Sequence, residues 1–209
     1  VVAGADEAVV AASNGSDLVV VGGYYRSYPA CLIVPEGSAI KAPADLKGKT
    51  VGTPGRKGET WYALQLAMDT ASLSESDLTI QDIGYTQQAA LVGGKVDAVV
   101  GYSNNDAIQI RQAGTPVRTI QVADRIPLVG VSLVTTRSLL DSRRQDLETV
   151  VKASIKGMTA FVKDPDAAVE ATKDHMDDLK VDQTQATRAR EVAVATGKLV
   201  SGDGSHPIG

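Results

Sequence analysis

The sequence predicts an α/β protein of two lobes. Strand-like apolar runs alternate with helical patterns from about Pro35 to Ala123, and beyond Thr136 the pattern turns to helices alone. The strand-like segments that bound the alternating part, Ala30–Pro35 and 127–136, read as two adjacent hinge strands that meet near Ile33 and Ser132. On this reading residues 33–126 form a second lobe. Residues 1–32 and 127–209 together form a discontinuous first lobe.

Each element has a local reason. "ADEAVVAASNG" is a short helix, with Asp6 or Glu7 near its start and Gly15 past its end. "DLVVVGGYY" and "ACLIVP" are strands, "IKAPADLKGK" is a loop with one turn, and "TVGTP" is a buried strand. A helix follows from about Gly58 to Ala71, because Trp61, Leu64, Met68 and Ala71 recur at helical spacing on one face. "LTIQDIG" is a strand, and "TQQAALVGG" is a helix stopped by glycine. "VDAVVGY" is a strand, "SNNDAIQIRQAG" a helix, "PVRTIQVA" a strand and "LVGVSLVTT" a further extended segment. "SRRQDLETVVKASIKGMTAFVKD" reads as one long amphipathic helix. "PDAAVEATKDHM" opens on Pro165 at the first turn, and "DQTQATRAREVAVATGKL" closes the series.

Composition narrows the function. The chain has 209 residues, 43% hydrophobic and 22% charged, with a net charge of −4 spread along its length. That balance supports a sizeable core, and no basic patch is present to bind nucleic acid. No apolar run approaches the ~20 residues that span a bilayer. Cys31 is the only cysteine, so no intrachain disulfide forms, and its apolar strand setting marks a buried thiol. His175 and His206 stand far apart without motif context, His206 in a loop. H-E-x-x-H, C-x-x-C and G-x-S-x-G are all absent, so neither a metal site nor a hydrolase triad is expected. No cofactor is expected either.

The stretch "VGTPGRKGETWYALQLA" brings Gly52, Gly55 and Gly58 into a strand-to-helix turn. It is not a phosphate loop, because Lys57 precedes the last glycine and Glu59, which would repel a polyphosphate, follows it. The glycine spacing also fails the dinucleotide fingerprint. Two readings stay open: a ligand-free tight turn, or a helix N-terminus whose N–H groups face a cleft. Ligands of open α/β sheets bind outside the carboxyl ends of the strands, which selects the loops "GADE", "GGYYRS", "GTPGRKGET" and "GYSNND".

An ordered set of segments carries a resemblance. "CLIVPEGSAIKAPADLKGKTVGTPGRKGETWYALQLA", "QQAALVGGKVDAVVGYSNND" and "DPDAAVEA" are similar to the solute-binding proteins of ABC transporters. The matching branch holds thiamine-pyrimidine-precursor and riboflavin binders, related to nitrate, sulfonate and taurine binders. The resemblance implies the type II periplasmic binding fold. It further implies no catalysis, a small flat heterocycle held in the inter-lobe cleft, permease subunits as partners and an extracytoplasmic location with a lipid anchor. A further strand–helix–strand unit usually begins such proteins and is absent here, so the first lobe is expected to be incomplete at its N-terminal side. An apolar edge near Val1, Val2 and Val19–Val21 is then expected to be covered by other residues or to self-associate. The alternatives are a nitrate or alkanesulfonate binder, a ligand-sensing domain, and a relative of the pyrimidine-synthesising enzyme. That enzyme needs a cysteine-rich segment and a reactive histidine, which this chain lacks.

The expected site residues follow. Gly55 and Gly58 let backbone approach the solute, and the N–H groups of Gly58, Glu59 and Thr60 point at an acceptor on it. Thr60 adds a hydroxyl. Trp61 lies on the apolar stripe, which favours Tyr62 as the cleft residue. Tyr102 stacks on a flat ring, while Asn104, Asn105 and Asp106 bond its polar substituents. The rival role for Asn104 or Asn105 is a helix cap. Asp106 stands where the pyrimidine-binding relatives carry a carboxylate, usually Glu, that pairs with an exocyclic amine. In the first lobe Asp6 is either a cap or a contact, and alternation turns only one of Tyr24 and Tyr25, taken as Tyr25, toward the cleft. An anionic solute would instead require Arg26 or Arg56.

Overall fold

A computed structural model of the chain describes residues 1–123, 128, 130–202, 204, 207 and 208. His206 lies outside the described residues. The chain divides into two units, Val1–Tyr28 with Leu128–Gly209, and Pro29–Pro127.

The continuous unit is built on a five-stranded sheet. Its strands are β3 (Ala30–Pro35), β4 (Thr50–Thr53), β5 (Thr79–Asp82), β6 (Ala98–Tyr102) and β7 (Val117–Gln121), in the order β5-β4-β6-β3-β7. The three strands joined by helical crossovers, β5, β4 and β6, run parallel, as crossovers require. β3 is antiparallel to both of its neighbours. Helix α2 (Gly58–Thr70) packs on β3 and β6, α3 (Gln87–Val92) packs on β6 and β4, and α4 (Asp106–Gln112) packs on β6 and β7. The pleat alternates side chains between faces. Cys31 and Ile33 accordingly join Ala90, Leu91, Val96, Val99, Ala107, Ile110 and Val117 in one core cluster.

The remaining unit begins with β1 (Val2–Gly4), α1 (Ala5–Ser13) and β2 (Leu18–Gly23) and resumes at β8 (Val131–Thr136). Its sheet has the order β1-β8-β2, with both outer strands antiparallel to β8. Val1, Val2 and Val20 are exposed. Among the described residues five helices follow: α5 (Arg137–Ser142), α6 (Arg144–Lys163), α7 (Pro165–Lys173), α8 (Asp178–Val181) and α9 (Gln183–Ser201). Asp164 and Asp182 cap α7 and α9 by accepting first-turn N–H groups. Among the described residues no helix is long and apolar enough to cross a membrane.

One expectation is corrected, and two elements escape the sequence patterns. The hinge pair does not exist, since Ile33 pairs with Val99 and Thr119 whereas Ser132 pairs with Ala3 and Gly23 in the other sheet. The reason is burial: Ala30 to Val34 are all fully buried, so both edges of β3 need hydrogen-bond partners, and β6 and β7 supply them. The long helix read from Ser142 is present as α6, and α5 precedes it where the sequence pattern gave no helix, because Thr136 caps it by accepting the Leu139 amide and Arg143, at φ −133°, separates the two. β1 is a strand that its three residues gave too short a period to reveal.

A loop from Glu36 to Ala42 links β3 to a 3-10 turn at Pro43–Leu46, and Arg118 on β7 holds it. Its guanidinium donates to the carbonyls of Ser38 at 2.8 Å and Pro35 at 3.5 Å, and also to those of Glu36 and Ile40. Arg118→Ala should therefore destabilise the protein by about 1–3 kcal/mol, the scale of hydrogen bonds to a charged group. Arg118→Lys should recover only part of this, because an ammonium lacks the planar fork. Urea unfolding of the three proteins measures it, and an unchanged midpoint for Arg118→Ala would refute the assignment.

Candidate functional site

β4 and β6 are parallel neighbours, so the loops that leave their carboxyl ends emerge at one edge of the sheet. These are the loops 54–57 and 103–105, and they bring most of the expected site residues to that edge. Asp6 and Tyr25 belong to the other unit.

The first loop is a tight turn that gives the helix it opens no side-chain cap. Thr53 donates its hydroxyl to the Gly55 carbonyl at 3.1 Å, which curls the chain as it leaves β4. Nothing lies within 4 Å of where a Gly55 Cβ would sit. Lys57 is extended and gives α2 no side-chain cap, so the first-turn N–H groups are not satisfied from the N-cap position. Gly58 has φ +73°, a region that other residues enter only at a cost. Glu59 and Thr60 are buried, Tyr62 is half-buried, and Trp61 is core at 8% exposure. Arg56 is exposed but engaged. It pairs with Glu75 and, at 4.0 Å, with Asp82, and its guanidinium lies 5.2 Å from the centre of the Trp61 ring.

The second loop is braced at several points. Asp106 Oδ2 accepts the Tyr102 amide at 2.7 Å. The Asn105 amide donates to the Tyr102 carbonyl at 3.2 Å, and the Ser103 amide to the Pro29 carbonyl at 2.9 Å. Asn105 occupies the N-cap position without capping through its side chain; its Oδ1 accepts from Gln109 Nε2 at 2.9 Å. Asn104 is buried and Tyr102 half-buried. Burial pushes the Asp106 carboxyl above its ordinary range, against the lowering effect of the Tyr102 amide and its own. Cys31, on β3, is fully buried, and burial with the nearby Asp106 charge pushes its thiol up to about 12. It is inert at neutral pH, as its strand setting implies.

Asp6 is the second residue of α1, behind Gly4 at the N-cap. Its carboxylate accepts the Tyr28 hydroxyl at 2.6 Å and the Glu7 amide at 2.8 Å. The alternation argument for Tyr24 and Tyr25 fails because β2 ends at Gly23. Both tyrosine amides donate to the one Val131 carbonyl, at 2.9 and 3.2 Å, and both side chains line a 510 Å³ cavity with Ser154, Gly157, Met158 and Phe161. Arg26 donates to the Pro207 carbonyl, and its amide donates to that of Leu199 at 2.7 Å.

Sequence reasoning missed Tyr28 and Gly101. "YYRSYP" offered Tyr28 as readily as its neighbours, but its partner Asp6 lies too far away in sequence to suggest the pair. Gly101 could not be found without knowing where Asp106 turns.

Residues 2–168 match the family described as NMT1/THI5 like. The chain belongs to the NMT1/THI5-like family. The chain is 31% identical over 162 residues to the riboflavin-binding protein RibY of Chloroflexus aurantiacus, covering 78% of this chain and 46% of that protein. It is 23% identical over 201 residues to the formylaminopyrimidine-binding protein of Halalkalibacterium halodurans, covering 95% and 61%. The alkanesulfonate-binding protein SsuA of Xanthomonas axonopodis pv. citri, solved bound to MOPS, superposes with a TM-score of 0.69 at 20% identity, covering 93% of this chain and 65% of that one. That likeness shows the α/β fold to be the one seen in such binding proteins. The chain thus spans less than two thirds of each of these three proteins.

The Asp106 environment yields a pH test. A carboxyl whose folded pKa is raised stabilises the fold below its unfolded pKa and loses that contribution as pH rises through the folded value. Asp106→Asn removes the charge and keeps an oxygen for the Tyr102 amide. Its Tm should exceed that of the wild type at pH 7, and the difference should vanish below about pH 3.9, the ordinary Asp value. Calorimetry across that range decides it, and a variant less stable at pH 7 contradicts the assignment.

Proposed function

We propose that this NMT1/THI5-like chain is the solute-binding component of an ABC importer and holds a small flat heterocycle of the riboflavin or pyrimidine class. The observation that carries the reading is the shared sheet edge, where the glycine-rich turn into α2 and the braced Tyr102 loop leave neighbouring parallel strands. Backbone N–H groups of Gly58, Glu59 and Thr60 serve ring acceptors there. Tyr102 supplies a stacking face, and Tyr62, Asn104 and Asn105 complete the contacts. The names of the two relatives, which bind riboflavin and formylaminopyrimidine, support this class of solute.

The engaged arginines support a neutral ring over an anion. Arg56 is committed to two carboxylates and Arg26 to a backbone carbonyl, so a sulfonate would have to displace those partners. As an importer component the chain works outside the cytoplasmic membrane, tethered there by a lipid, and hands its solute to permease subunits without catalysing a reaction.

Titration calorimetry against riboflavin, an aminopyrimidine and taurine tests the reading. Tyr102→Ala should weaken binding of the heterocycle by about 1–3 kcal/mol, the scale of a lost ring contact with its apolar burial. Tight taurine binding that survives Tyr102→Ala and is lost in Arg56→Ala would overturn it in favour of an anion.

A further inference from the structure

We propose that Asp106 is a positioning residue that fixes Tyr102, not a carboxylate that meets the solute, and that Gly101 is glycine in order to receive it. The inference rests on the reading of Tyr102 as a solute contact.

The geometry runs inward from the helix start. Asp106 folds back from the first residue of α4 so that Oδ2 sits 2.7 Å from the Tyr102 amide. A Cβ on Gly101 would lie 2.8 Å from that oxygen, 3.0 Å from the Asp106 Cβ and 3.1 Å from its Cγ. Any side chain at 101 therefore expels the carboxylate. With the Asn105 amide on the Tyr102 carbonyl, both backbone polar groups of Tyr102 are held from within the turn. Charge-assisted bonds are the strong ones, so the carboxylate is the firmer of the two holds. A carboxylate that paired with an exocyclic amine would have to aim outward, whereas this one is seated on the chain that carries the ring.

The turn therefore spends a partly buried charge on orientation. A stacking ring loses affinity when its direction wanders, and holding the backbone in advance avoids ordering it on binding.

Three variants in the full chain test this: Asp106→Asn, Asp106→Ala and Gly101→Ala. Two readouts are taken, hydrogen exchange of the Tyr102 amide without solute and affinity for riboflavin and an aminopyrimidine. Asp106→Asn should keep the amide protected and the affinity within about threefold, since an oxygen remains in place. Asp106→Ala and Gly101→Ala should each expose the amide and weaken binding on the order of tenfold, one charge-assisted hydrogen bond. The double variant should be no worse than either, because both remove the same contact. An Asp106→Asn loss as large as that of Asp106→Ala would show the charge meeting the solute and overturn the proposal. So would a Tyr102 amide that stays protected in Asp106→Ala and Gly101→Ala. If neither probe binds the wild type, the functional reading falls, and the amide exchange still decides the brace.

Discussion

Much of the continuous unit depends on the burial of β3. Five consecutive residues, Ala30 to Val34, have no exposed surface, so their N–H and C=O groups cannot turn to water. β6 and β7 take one edge each and α2 covers a face. This places β6 between β3 and β4 and sets its last residue, Tyr102, opposite Ala30. The Ser103 amide then reaches Pro29, so the candidate loop is tied to the strand that organises the sheet.

Polar side chains near the candidate loops mostly hold the scaffold. Asp106 holds Tyr102, Asn105 meets Gln109, Asp6 meets Tyr28, and Arg56 joins Glu75, Asp82 and Trp61. On the proposed function, recognition falls on the backbone N–H groups of α2 and on aromatic faces. These groups suit planar rings with acceptor atoms, and they keep their geometry because the charged groups around them are already satisfied. The exposed Arg56 pairs add little stability, since surface ion pairs are screened. Their effect is to occupy a cation that would otherwise favour anions.

Membership of the NMT1/THI5-like family is consistent with this division of labour. A shared fold at 20% identity leaves room for different solutes, because the strands keep their order while the loop side chains change.

The sequence by itself determined the strand and helix order of the continuous unit, the glycine-rich turn ahead of α2 and the buried setting of Cys31. Each of these rests on periodicity or on chemistry within a few residues. It also placed Tyr102 and Asp106 in one loop at a strand end. Strand partners were not legible: "ACLIVP" looks the same as a hinge strand or as the centre of a sheet, and only its two neighbours decide. Nor was the destination of Asp106, Tyr28 or Tyr24, since a side chain's partner depends on residues brought near by folding. The tertiary structure decided those, because burial forces every backbone group and every charge to find a partner, and the partners available are set by packing between segments distant in the chain.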